Sequence, residues 1–224
     1  MEVGRLLSFT VQDGVRVSAR LEFPAAARAG YVLAHGAGAG MEHPFMRRIA
    51  AELAARSIAT LRYQFPYMER HSRRPDPPAL CHTTVRAAVT EATRLLPAVP
   101  LIAGGRSFGG RMTSQAQALE PLPGVRGLAF LGFPLHPAGR PSESRAQHLS
   151  QVRVPMLFAQ GTRDALAERG LLTAVVARLA PLASVCWLEG ADHSFHVPAR
   201  SGRSDAEVMG QLLDSLCHWL GELL

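Results

Sequence analysis

The chain has 224 residues, of which 47% are hydrophobic and 19% are charged, and its formal net charge is +6. This composition is typical of a soluble globular protein and excludes a largely disordered chain. No apolar run reaches the roughly 18 residues that a membrane-spanning helix needs. The first residues also lack the basic start and apolar stretch of a secretion signal. We therefore expect a single domain over residues 1–224, located in the cytoplasm and not bound to a membrane.

All 24 basic residues are arginines, and the sequence contains neither lysine nor asparagine. Chemistry that depends on a lysine amine, such as a Schiff base or a P-loop, is therefore excluded. The arginines are spread along the chain, so we expect no nucleic-acid partner. Cys81, Cys186 and Cys217 form neither a CxxC pair nor an even set. Reduced thiols are predicted rather than disulfides or a zinc site, and we expect no metal and no other cofactor.

Short apolar runs alternate with longer helical patterns along the chain. In chain order, the predicted elements are strands at 6–11, 15–23 and 31–35, a helix from 44, a strand at 58–63, a helix at 79–96, a strand at 99–104, a helix from 107, a strand at 125–133, a small helix around 143–149, a strand at 154–160, a helix at 166–179, a strand at 184–188 and a final helix through 208–223. This alternation predicts an α/β fold with a mostly parallel central sheet, helices on both faces and no large lid domain.

Residues 105–109 read GRSFG and match the pattern G-x-S-x-G. The pattern alone is weak, but here a predicted strand precedes it and a predicted helix follows it, as in a nucleophile elbow. Glycines at 105 and 109 permit a strained turn and close packing of the helix. The alternative is a glycine-rich connection in which Ser107 only caps the helix. The context favours Ser107 as a nucleophile.

A nucleophilic serine needs a histidine base and an acid that orients the base. In elbow-type hydrolases, the chain order is serine, acid, histidine, with each residue after a strand. Asp164 directly follows the strand at 154–160 and is the preferred acid, although an aspartate there also suits the N-cap of the next helix. Asp192 and Glu189 are the competing acidic candidates.

Three histidines follow Asp164 in the chain. His193 lies in the loop between the last strand and the last helix, where this architecture places the base. His196 shares that loop and is a candidate for the substrate side of the site. His218 lies in the final helix and is interpreted as a surface or packing residue. The order and placement of Ser107, Asp164 and His193 together indicate a catalytic triad.

The developing oxyanion of acyl transfer needs backbone N–H donors. Phe108, directly after the nucleophile, supplies one of them. The second is expected from the small-residue turn at 35–40, which reads HGAGAG, at Ala37. This turn differs from a dinucleotide fingerprint because its spacing is G-x-G-x-G and no suitable acidic residue follows about 20 positions later.

Candidate pocket residues come from the loops that follow strands. We expect Met41, Tyr67 and Phe133 to form apolar walls and His136 to lie beside them. The loop at 65–78 carries several arginines and is expected to border the site. These arginines either bind an acidic substrate group or lie exposed on the surface, and the second interpretation is favoured.

Four motifs together resemble a known family. HGAGAG at 35–40, GRSFGG at 105–110, GTRD at 161–164 and GADHSF at 190–195 resemble the small, lidless α/β hydrolases related to dienelactone hydrolase. More narrowly, the chain is similar to the bacterial branch that shares its domain with an NSL chromatin-complex subunit and a testis-expressed protein. The resemblance implies an α/β-hydrolase fold, with Ser107 as nucleophile, Asp164 as acid and His193 as base. Ser107 stands where dienelactone hydrolases use cysteine.

Two functions remain. The first is a serine hydrolase that cleaves small carboxylic esters or thioesters through an acyl-enzyme. The second is a non-catalytic interaction module with the same fold, which would not need a complete triad. A haloalkane dehalogenase is disfavoured because it needs an acidic nucleophile at position 107. The expected partner is a small-molecule ester, and the expected state is a monomer or a small homo-oligomer.

Overall fold

The computed structural model describes residues 4–224, in which the strands form one eight-stranded sheet. The strands are β1 (Arg5–Gln12), β2 (Val15–Glu22), β3 (Ala29–Ala34), β4 (Ile58–Tyr63), β5 (Leu101–Arg106), β6 (Val125–Leu131), β7 (Met156–Gly161) and β8 (Ala183–Leu188). Their order is β1-β2-β4-β3-β5-β6-β7-β8. The pairs β1–β2 and β2–β4 are antiparallel, and the remaining pairs are parallel. The predicted α/β class and mostly parallel sheet are confirmed.

Within residues 4–224, five α-helices lie between strands and a sixth follows the last strand. They are α1 (Pro44–Ala54), α2 (Pro66–Glu69), α3 (Pro78–Leu95), α4 (Phe108–Leu119), α5 (Arg169–Arg178) and α6 (Asp205–Leu223). Two 3₁₀ helices cover Ser144–Gln151 and Ala199–Ser201. Among residues 4–224, no helix combines the length and the apolar character needed to cross a membrane.

The elements differ from the sequence prediction mainly at their ends. The strand predicted at 99–104 is Leu101–Arg106, which ends directly before the candidate nucleophile. The helix predicted from 166 begins at Arg169. The loop predicted at 65–78 contains the short helix α2, which a proline at its first position favours.

The hydrophobic core lies in two layers, one on each face of the sheet. Alternate residues of β3 show this arrangement, because Val32 packs in one layer and Leu33 in the other. Helices α3, α4 and α5 cover the first layer, and α1 and α6 cover the second. The buried parallel strands therefore hold their carboxyl ends at one edge of a rigid sheet.

This carboxyl edge carries every predicted catalytic residue. The turn at 35–40 follows β3, Ser107 follows β5, Asp164 follows β7 and His193 follows β8. Because β3, β5, β6, β7 and β8 run parallel, these four connections meet above the same edge. The connection from β6 to β7 spans residues 132–155 and contains only one 3₁₀ helix, so no lid domain covers the edge in the described part of the chain.

Candidate active site

Ser107 occupies a strained turn between β5 and α4. Its backbone angles are φ 48° and ψ −113°, a conformation that side-chain-bearing residues rarely adopt. The turn is crowded on both sides: a Cβ at Gly105 would lie 2.2 Å from the carbonyl oxygen of Ala34, and one at Gly109 would lie 2.5 Å from that of His35. Only glycine fits at both positions, and the result is a tight turn with the Ser107 side chain at the sheet edge.

The imidazole of His193 joins Ser107 to Asp164. Its Nε2 lies 2.9 Å from Oγ of Ser107, and its Nδ1 lies 2.6 Å from Oδ2 of Asp164. The carboxylate accepts the Nδ1 hydrogen, which leaves Nε2 free to accept the hydrogen of the Ser107 hydroxyl. The side chain of His193 is 22% exposed and that of Asp164 is fully buried. This arrangement can withdraw a proton from Ser107 when the hydroxyl attacks.

Asp164 is held by donors on both of its oxygens. The amide nitrogen of Gln160 donates to Oδ2, and the backbone N–H of Leu166 donates to Oδ1 at 2.8 Å. Gln160 is itself oriented because its side-chain oxygen accepts the backbone N–H of Phe133 at 2.8 Å. Glu168, not Asp164, is the residue that precedes the first turn of α5. Asp164 therefore has no capping role and serves His193 instead.

The other acidic candidates are engaged elsewhere. Oδ1 of Asp192 accepts the backbone N–H groups of Ser194 at 2.7 Å and His196 at 3.0 Å. This carboxylate shapes the loop that carries His193 but makes no hydrogen bond to its ring. Glu189 accepts a hydrogen bond from the Thr162 hydroxyl at 3.2 Å. Neither residue competes with Asp164 for the imidazole.

Two further histidines lie outside the cluster. Nδ1 of His196 is 2.9 Å from Oδ2 of Asp205, and this hydrogen bond raises the pKa of the histidine above its usual value. The pair ties the His193 loop to the start of α6. His218 is exposed on α6 and lies 3.4 Å from Glu222. Of the three histidines that follow Asp164, His193 is therefore the one that lies beside Ser107.

The turn at 35–40 carries a backbone donor at the same sheet edge as Ser107. The N–H of Ala37 donates no hydrogen bond to any residue within 4–224. Phe108 is the first residue of α4, so its N–H has no acceptor within the helix. Both are the N–H groups expected from the sequence, and the two connections that carry them meet at the same sheet edge as Ser107.

Side-chain hydrogen bonds hold this turn in place. Nε2 of the buried His35 accepts the backbone N–H of Phe65 at 3.2 Å, and its Nδ1 donates to the carbonyl oxygen of Gly36 at 2.7 Å. Burial lowers the pKa of His35 to about 4, so the ring stays neutral at physiological pH. The hydroxyl of Tyr67 accepts the N–H of Gly38 at 3.1 Å. The backbone of the turn is therefore pre-organised.

The four predicted pocket residues lie in the interior. None exposes more than 5% of its surface: Met41, Tyr67, Phe133 and His136. Phe133 packs against Phe130 and Phe158 in the core, and Nε2 of His136 accepts the backbone N–H of Glu168 at 3.0 Å. In this conformation they support the loops and do not form open walls, which differs from the role predicted for them.

The arginines of residues 65–78 divide into two groups. Arg70 pairs with the buried carboxylate of Asp76, whose Oδ2 also accepts the backbone N–H of Tyr67 at 2.8 Å. Arg73 and Arg74 are exposed to solvent. Arg70 thus stabilises the segment around α2, and the exposed pair fits the interpretation of a surface loop.

Sequence reasoning assigned no role to Arg106 or Gln160, and both contact the candidate triad. The sequence could have pointed to Gln160, because a polar residue near the end of an otherwise apolar buried strand is unusual. No such pattern singled out Arg106, since any residue fits the variable position of G-x-S-x-G. Within residues 4–224, no cluster of three or more histidine, cysteine or acidic side chains could hold a metal ion.

Comparison with known proteins shows what this chain is similar to. The profile of a family described as an alpha/beta hydrolase domain matches residues 27–221. A dienelactone hydrolase from Anabaena variabilis is similar with a TM-score of 0.80 and 19% identity, over 99% of this chain and 98% of that one. A serine hydrolase without a lid from Xanthomonas campestris has a TM-score of 0.76 and 18% identity, over 98% and 96%. A serine hydrolase homologue from Coxiella burnetii has the same TM-score and identity, over 96% and 99%.

Proposed function

The chain belongs to the alpha/beta hydrolase family, and we propose that it is a serine hydrolase that cleaves small carboxylic esters or thioesters through an acyl-enzyme. The observation that carries the proposal is the position of the His193 ring, within hydrogen-bond distance of both Ser107 and Asp164. The similarity to solved structures described as serine hydrolases supports it through the shared fold.

In the proposed acylation step, Oγ of Ser107 attacks the carbonyl carbon of the ester. Nε2 of His193 takes the hydroxyl proton as the new C–O bond forms. The carboxylate of Asp164 keeps the imidazole in the required tautomer and stabilises the positive charge that it acquires. The electron pair of the carbonyl moves to oxygen, where the N–H groups of Ala37 and Phe108 are the proposed donors.

The tetrahedral intermediate then collapses and releases the alcohol or thiol. His193 donates its proton to the leaving group, and the acyl group stays on Ser107 as an ester. In the second half of the reaction, His193 takes a proton from water, whose oxygen attacks the acyl-enzyme. As the bond between the acyl carbon and Oγ breaks, His193 returns the proton to Oγ of Ser107 and the acid product leaves. No step of this cycle calls for a cofactor.

Two features support catalysis over a non-catalytic interaction module. The positive φ of Ser107 costs free energy, and a turn without a catalytic role could avoid this cost with a relaxed backbone. The buried carboxylate of Asp164 also costs desolvation energy, which its donors His193, Gln160 and Leu166 offset. Both costs are expected where the groups serve a reaction.

Labelling with a fluorophosphonate probe, together with p-nitrophenyl acetate hydrolysis, tests the proposal. We expect the natural protein to be labelled and to release p-nitrophenol, and Ser107→Ala to lose both properties while it keeps its fold. Ser142→Ala, at a half-buried serine in the connection after β6, serves as the matched control and should behave like the natural protein. Labelling of Ser107→Ala at the rate of the control would overturn the assignment of the nucleophile.

A further inference from the structure

Arg106 is the residue directly before the candidate nucleophile, and its side chain crosses to the loop that carries His193. Its Nη1 donates to the carbonyl oxygen of Leu131 at 3.0 Å. Its Nη2 donates to the carbonyl oxygen of His193 itself. Nη1 also lies 3.5 Å from Nε2 of the His193 ring. One guanidinium therefore joins the ends of β5 and β6 to the backbone of the proposed base.

Two aromatic rings and a glycine surround the guanidinium of Arg106. Its guanidinium carbon lies 5.2 Å from the ring centre of Phe45 and 5.0 Å from that of Phe195, close enough for attraction between the cation and both rings. The two rings are stacked with their centres 5.7 Å apart. At Gly132, which has φ 73°, a Cβ would lie 2.5 Å from Nη1 of Arg106. The absence of a side chain at 132 is thus a condition for the position of the guanidinium.

Charge stabilisation does not explain why a cation lies here. The pKa of Arg106 is lowered to about 10 by burial, while Asp164 and Asp192 act in the opposite direction, so the group stays charged at neutral pH. A positive charge this close to Nε2 opposes the positive charge that the imidazole gains during the reaction. The contribution of the side chain must then come from its hydrogen bonds and its packing.

We propose that Arg106 is a positioning residue that fixes the backbone of His193 relative to β5 and β6, and so holds Nε2 in line with Oγ of Ser107. The planar guanidinium suits this task because two of its nitrogens reach two carbonyl groups at once, one at the end of β6 and one in the loop after β8. Phe45 and Phe195 limit its other movements. This inference rests on the proposed function, in which His193 is the base.

Two substitutions separate positioning from general stability. Arg106→Met keeps an unbranched side chain beside the rings but has no donors, and Arg106→Lys keeps the charge but not the planar guanidinium. We expect Arg106→Met to lower kcat for p-nitrophenyl acetate about 10²-fold with little change in KM, because a displaced base costs about that factor. Arg106→Lys should recover part of the loss. Arg86→Met is the matched control, since Arg86 also donates to two carbonyl groups, those of Ala116 and Glu120, far from the site.

A proton NMR measurement makes the test independent of turnover. The hydrogen between His193 Nδ1 and Asp164 should give a low-field resonance that Asp164→Asn removes. We expect this resonance to broaden or shift in Arg106→Met and to stay unchanged in Arg86→Met. If the natural protein is inactive, the resonance still reports on positioning, and only the proposed function fails. An unchanged resonance with kcat within about twofold of the natural value would overturn the inference, as would a loss confined to KM. If Arg106→Met does not fold, Arg106→Lys decides by the same criteria.

Discussion

The ring of His193 contacts Asp164, 29 residues earlier in the chain, at 2.6 Å and makes no hydrogen bond to the adjacent Asp192. A residue next to the base in sequence cannot reach Nδ1 here, because Asp192 turns its carboxylate back toward the N–H groups of Ser194 and His196. The carboxylate that faces the ring comes instead from the connection that follows the neighbouring strand β7. Because Asp164 is the one of these two aspartates that contacts the ring, we expect substitutions of Asp164 and Asp192 to affect activity differently.

Asp164→Asn should lower kcat by orders of magnitude, about 10⁴-fold in the comparable substitution of a serine-protease triad. The amide cannot stabilise the imidazolium, and it presents a donor where Nδ1 also donates. Steady-state kinetics with p-nitrophenyl acetate measures the effect. Asp192→Asn is the matched comparison and should cost far less, because an amide oxygen still accepts the two backbone N–H groups. A larger loss in Asp192→Asn would transfer the acid role to that residue.

Short acyl chains should be the preferred substrates. The connections at the carboxyl edge of the sheet carry no lid, so a long chain would leave most of its methylene groups in water. Each unburied CH₂ forgoes about 0.8 kcal/mol of binding free energy. In a p-nitrophenyl ester series from acetate to palmitate, kcat/KM should be highest at about two to six acyl carbons, with no activation at lipid interfaces. A maximum at palmitate would reveal a hydrophobic groove that opens only on binding.

Gly105→Ala should both destabilise the protein and remove its activity. The added methyl would lie 2.2 Å from the carbonyl oxygen of Ala34, so β3 and β5 would have to separate at the nucleophile turn. We expect a loss of about 3 kcal/mol in the free energy of unfolding, measured by urea denaturation. Gly210→Ala in α6 is the control: its Cβ would meet nothing within 4 Å, and helix propensity predicts a gain of about 0.5–1 kcal/mol. Equal stability of the two variants would contradict the crowding argument.

The His196–Asp205 pair should make a small, pH-dependent contribution to stability. The pKa of His196 is raised by its hydrogen bond to Asp205, so its contribution is fully present below the unfolded pKa and is lost as the pH rises through the folded pKa. The pKa of Asp205 is lowered by His196 and by the N–H of Val197, so its contribution is lost as the pH falls through the folded pKa.

The pair is therefore most effective in mildly acidic solution, between these two titrations. Thermal denaturation of His196→Ala should show a larger decrease in Tm at about pH 5.5 than at about pH 8.5. Salt should reduce the difference because both side chains are exposed. His218→Ala, whose side chain is 80% exposed on α6, is the matched control. The same decrease at both pH values would show that the pair contributes no electrostatic free energy.

The fold class could be predicted from the sequence because strands that alternate with helices can bury their apolar faces in only a few layer arrangements. The strand at 58–63 agrees with Ile58–Tyr63, and the other strands differ by one or a few residues at their ends. Ends are less certain since one or two hydrogen bonds decide them. At α5, the backbone of 164–168 forms turns around Asp164 and delays the helix to Arg169.

The sequence by itself determined which residues stand after strands, because a strand end and a following turn are local properties of the chain. It therefore determined that Ser107, Asp164 and His193 reach one sheet edge. The tertiary structure alone decided which contacts the side chains at that edge make with one another. It turned Asp192 away from the ring, buried Phe133 against Phe130 and Phe158, and directed Arg106 to the carbonyl oxygen of His193. These contacts join residues far apart in the chain, and their geometry depends on the packing of whole elements, which no local pattern records.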